Sequence, residues 1–121
     1  MILVYQSAVS IELGQDWTEI NCYDEVDLLK NLGQFLLECD DIGAVWLVMF
    51  FTMDQKAKEN PSFLITPSRI DALMYAKHIL FNPETANKRR VITEVSAIQC
   101  ASYARAIDII EVGAQYSSKR T

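Results

Sequence analysis

The stretch Ala44-Val-Trp-Leu-Val-Met-Phe-Phe51, extendable through Thr52 to Met53, is the longest apolar run in the chain. It is rich in β-branched and aromatic residues and too short for a typical buried helix. That predicts a strand over 44–53 buried on both faces. A transmembrane helix needs about 20 such residues, so the run predicts no membrane span.

Segments before this run show weaker periodicities. Ile2 to Leu13 begins apolar and then alternates, with Val9, Ile11 and Leu13 set against Ala8, Ser10 and Glu12. A period of two predicts a strand over 2–13 with one wet face. The turn signal Gly14-Gln-Asp16 separates it from a short strand over 17–23, and the two read as a hairpin. Residues 24–39 read as a helix. Asp24 is the N-cap, and Glu25 and Asp27 place negative charge in the first turn. Val26, Leu29, Leu32 and Leu36 fall at helical spacing. Gly33 costs helicity and suits close packing against the sheet.

After a polar connection, 62–65 reads as a strand returning beside 44–53. Thr66-Pro67 then matches a cap-and-proline helix start, with the helix running over 67–81. This helix is apolar on every face, which predicts deep burial or a covering partner. Ala-rich 93–112 reads as a third helix, against the β-branched pairs Val91-Ile92 and Ile109-Ile110. The whole predicts one α+β domain over 1–121: a small, mostly antiparallel sheet packed by about three helices. Residues 116–121 form a polar, basic tail expected to fray.

Composition narrows the function classes. Half of the 121 residues are apolar and 22% are charged, a globular balance. The N-terminus lacks a basic leader segment, and Cys22, Cys39 and Cys100 are odd in number and widely spaced. Free buried thiols in a reducing, cytoplasmic setting follow. The net charge of −5 is unevenly spread. Residues 1–54 carry ten acidic side chains against the single base Lys30, while the remainder carries ten bases and six acids. An acidic half of this kind repels phosphates and steers basic proteins.

No motif carries chemistry. Glycine-rich phosphate loops, nucleophile elbows and paired metal-ligand spacings are absent from the sequence, so no cofactor or metal is expected. His78, the sole histidine, lacks a partner ligand in sequence and reads as a surface or packing residue. Asp40 and Asp41 precede the apolar run and Asp54 follows it, too far apart to share one cation and best read as turn acids. Lys88-Arg89-Arg90 lacks interleaved aromatics and reads as pairing with the chain's own acids or a neighbouring subunit rather than with nucleic acid.

What remains is recognition. Glu12, Asp16, Glu19, Asp24, Glu25, Asp27, Asp40 and Asp41 form the candidate partner-binding set, with Trp17 and Tyr23 as aromatic anchors. The bland alternative is a solubilising surface. In size, charge and missing chemistry the chain resembles toxin-neutralising immunity proteins and phage-encoded inhibitors of bacterial defence, with no motif behind the likeness. The leading expectation is therefore a small intracellular, non-enzymatic protein that blocks a basic protein partner. A homo-oligomeric scaffold, such as a homodimer joined through the apolar helices, is the alternative. A small enzyme using carboxylates, Tyr and His78 ranks third.

Overall fold

The computed structural model describes residues 1–13, 17–39, 43–53, 61–81 and 91–111. In chain order the elements are β1 (Ile2–Gln6), α1 (Ala8–Leu13), β2 (Thr18–Asn21), α2 (Glu25–Glu38), β3 (Val45–Thr52), β4 (Ser62–Thr66), α3 (Arg69–Phe81), β5 (Ile92–Cys100) and α4 (Tyr103–Glu111). The strands form one mixed five-stranded sheet in the order β2-β1-β5-β3-β4. β1 and β5 run parallel; the other three pairings are antiparallel. The expected α+β class is what the chain adopts.

β3 does what its apolar run demands. Seven of its eight residues are buried, because alternate side chains enter two separate cores. Trp46, Val48 and Phe50 join Leu28, Leu32, Phe35 and Leu36 of α2 and Ala72 and Ala76 of α3 on one face. Val45, Leu47, Met49 and Phe51 join Ile98 and Cys100 of β5 and Ala106, Ile109 and Ile110 of α4 on the other. A strand at the middle of such a sandwich has no wet face, so it cannot show the usual alternation.

Several expectations are corrected. Residues 93–112 are not one helix: 92–100 form β5, and only Tyr103–Glu111 is helical. β5 sits between β1 and β3 and hydrogen-bonds to both. Its Ala97 and Ser96 are buried between layers, where small side chains fit. That position overrides the local helix preference of alanine. The expected strand 2–13 breaks after Gln6, and Ala8–Leu13 coils into α1. Ser7 starts that helix, its Oγ accepting from the Ser10 N–H at 3.3 Å. β1 and β2 do pair antiparallel, but through α1 rather than a tight hairpin. Finally, α3 is capped by Ser68, whose Oγ accepts from the Asp71 N–H at 3.2 Å, so Pro67 lies outside the helix.

The predicted helix over 24–39 stands as α2, with Asp24 at its cap and Cys39 just past its end. Gly33 faces α3 rather than the sheet: a Cβ there would meet Leu73 Cδ2 at 3.8 Å. The tail over 116–121 lies outside the described residues. No described helix is long and apolar enough to cross a membrane.

Candidate functional site

The acid-bearing end of the sheet is the β2 edge and the start of α2. Asp24 has an extended backbone (φ −153°, ψ −179°), which turns the chain out of β2 and into the helix. Its Oδ1 accepts from the Asp27 N–H at 2.8 Å, satisfying one of the donors a helix start leaves open. Asp27 reaches back, its Oδ2 accepting from the Tyr23 N–H at 3.1 Å. On the other side, the Cys22 N–H donates to the Met1 carbonyl at 2.8 Å. The backbone around Tyr23 is therefore pinned from both directions, while its side chain is 96% exposed.

This geometry sorts the sequence candidates. Tyr23 and Asp24 are exposed, and Glu25 and Asp27 are half-exposed on the first turn of α2. Glu19 is exposed on β2, opposite Val4 in the register. Asp24 and Asp27 carry a structural duty as reciprocal caps besides whatever they offer a partner. Trp17 is separated from Tyr23: it packs half-buried against the core on the α4 face. Glu12 falls in α1 with its side chain outside the described residues, and Asp16, Asp40 and Asp41 lie outside them altogether. So do Asp54 and Lys88-Arg89-Arg90.

Cys22, Cys39 and Cys100 are free and buried. Burial raises all three thiols, Cys100 to about 12. A thiol held protonated is a poor nucleophile and a poor metal ligand. The Trp46 indole N–H approaches the Cys39 sulfur and opposes part of the upward push, though its geometry falls short of a hydrogen bond. Tyr75 is raised by burial as well, with its ring edge-on to Phe50 at 5.7 Å. His78 is exposed on α3 beside exposed Lys77. Among the described residues no three His, Cys, Asp or Glu side chains converge to hold a metal ion.

One structural feature was not picked out from the sequence. β4, at the opposite end of the sheet, reads Ser62-Phe-Leu-Ile-Thr66 without an ionisable residue and is bracketed by Pro61 and Pro67. That signal was available as an uncharged strand between two prolines, but only the strand order shows that it ends the sheet among the described residues.

Comparison with known proteins matches no family model, no curated protein and no solved structure.

Proposed function

We propose that this chain is a small intracellular binding protein that engages and blocks a protein partner with a basic surface, through the β2 edge and the first turn of α2. The observation that carries the reading is Tyr23. An aromatic side chain 96% in water costs apolar exposure, yet its backbone is held rigid by Asp27 and by the neighbouring Cys22–Met1 bond. Pre-positioned aromatics surrounded by charge are the usual anchors of protein interfaces. Glu19, Asp24, Glu25 and Asp27 around it supply the field that accelerates encounter with a basic partner. Three buried thiols fit a reducing compartment.

The test is retrieval from the native host at low and high salt, using the wild-type chain beside Tyr23→Ala and Glu19→Lys/Glu25→Lys. The reading expects a partner that is captured at low salt, weakened at high salt and lost with both variants. Equal capture by all three proteins would overturn it.

A further inference from the structure

We infer that β4 and the adjoining flank of α3 form a two-fold interface with a second copy of this chain, joining two five-stranded sheets into one.

The first observation is the contrast between the two sheet edges. Open edges present unpaired N–H and C=O groups, and proteins guard them with short strands and charge. β2 is guarded in this way: it has four residues and carries Glu19. β4, the end strand on the other side among the described residues, is not. It has no charged residue, and Phe63 on it is 40% exposed. Pro61 and Pro67 limit any added pairing to the five residues between them. Such a short, bounded edge suits a closed pair rather than a growing fibre.

The second observation is that β4 is complementary to itself. An antiparallel pair centred on Leu64 sets Leu64 against Leu64, Phe63 against Ile65, and Ser62 against Thr66. Directly opposed residues share a face of the sheet. In register with β3, Phe63 lies opposite Met49 and Ile65 opposite Leu47, so both point to the α4 face. Each Phe63 would therefore gain an aromatic–β-branched cross-strand contact with Ile65 of the second copy. The two hydroxyl residues close both ends.

The third observation is that α3 is placed to follow. It packs over β3 and β4. With strands about 4.8 Å apart, its axis lies about 5 Å from the two-fold, which sets two α3 helices about 10 Å apart, a normal packing distance. The depths agree too. Leu64 lies two residues, about 7 Å, down the strand from Thr66. At about 1.5 Å per residue, α3 running back reaches that depth near Leu73–Met74. Met74 points away from the sheet, about half a turn of the wheel from buried Ala72 and Ala76; the flank opposite Leu73, which faces α2, carries Asp71, Tyr75 and His78 and would meet the second copy. On that flank Asp71 would come within about 3 Å of the depth of His78 of the second copy, a carboxylate near an imidazole donor. Exposed Asp71 and His78 are thus brought toward each other by the same operation.

The experiment is sedimentation of the full chain over a dilution series, with two variants. The wild-type mass should rise to twice 13.8 kDa with concentration. Phe63→Lys, which places a charge beside its counterpart on the edge, should stay monomeric with unchanged circular dichroism. Leu64→Cys, which faces its own copy across the two-fold in this register, should form a disulfide-linked dimer on mild oxidation, whereas Val26→Cys, exposed on α2, should not. If Phe63→Lys misfolds, the Leu64→Cys cross-link decides. A wild-type monomer at every concentration, a dimer unaffected by Phe63→Lys, or equal cross-linking at both cysteines overturns the inference. Because this interface lies at the opposite edge from Tyr23, its failure leaves the partner-binding reading standing, and the reverse.

Discussion

The guanidinium of Arg69 lies 5.5 Å from the centre of the Trp46 ring and donates to the Leu37 and Cys39 carbonyls at the end of α2. One side chain from the first turn of α3 thereby closes the open carbonyls of α2 and covers the start of β3. Helix C-termini leave such carbonyls without intrahelical partners, and a cation is favoured there. The arrangement ties three elements at one corner of the larger core.

Arg69→Ala should therefore destabilise the fold by about 1–3 kcal/mol, the cost of two lost carbonyl partners and one cation–π contact. Arg69→Lys should recover little, because a single ammonium cannot span both carbonyls as the planar fork does. Urea unfolding of the two variants beside the wild type reads this directly.

Gly33→Ala should stabilise. Gly33 sits in the middle of α2 without a positive φ, and an added Cβ would meet only Leu73 Cδ2 at an ordinary 3.8 Å. Replacing a mid-helix glycine then returns about 0.5–1 kcal/mol. A lowered melting temperature would mean that the α2–α3 contact is tighter than this distance implies.

At Asp24 two substitutions separate capping from charge. Asp24→Ala should cost about 1 kcal/mol, since the Asp27 N–H loses its 2.8 Å acceptor. Asp24→Ser keeps a capping oxygen and should leave stability near wild type. If the proposed acidic surface recruits a basic partner, the serine variant should still associate more slowly at low salt. Thermal melts paired with association rates distinguish the two roles.

Cys100 predicts an alkaline limit. Burial raises its thiol from 9.0 to about 12, so the folded state holds the proton more tightly than the unfolded chain. Stability from this group is fully present below pH 9.0 and is lost as pH rises toward about 12, by on the order of 1 kcal/mol per pH unit. Cys22 and Cys39 are raised in the same direction by burial and steepen the fall. Cys100→Ala should flatten the stability profile above pH 9.0, and native thiols should resist a thiol reagent until the chain unfolds.

The sequence alone determined the strand at 44–53 and the helix capped by Asp24. A long apolar run and a cap followed by spaced leucines are local signals that no packing arrangement reverses. It also determined that negative charge gathers in the first half, where the structure places Tyr23 in water beside Glu19, Asp24 and Glu25. Tertiary structure alone decided the rest. Ala8–Leu13 is equally legible as an alternating strand or one turn and a half of helix, and six residues are too few to choose. Thr93–Cys100 carries helix-favouring alanine and strand-favouring valine and isoleucine, and the vacancy between β1 and β3 settled it. Trp17 and Tyr23 are six residues apart in the chain, yet one is tucked against the α4-side core and the other stands in solvent. Which strands end the sheet is likewise invisible locally, because an edge is defined by the neighbour a strand lacks. Local patterns report a residue's own preferences, whereas strand order and burial depend on contacts made across the length of the chain.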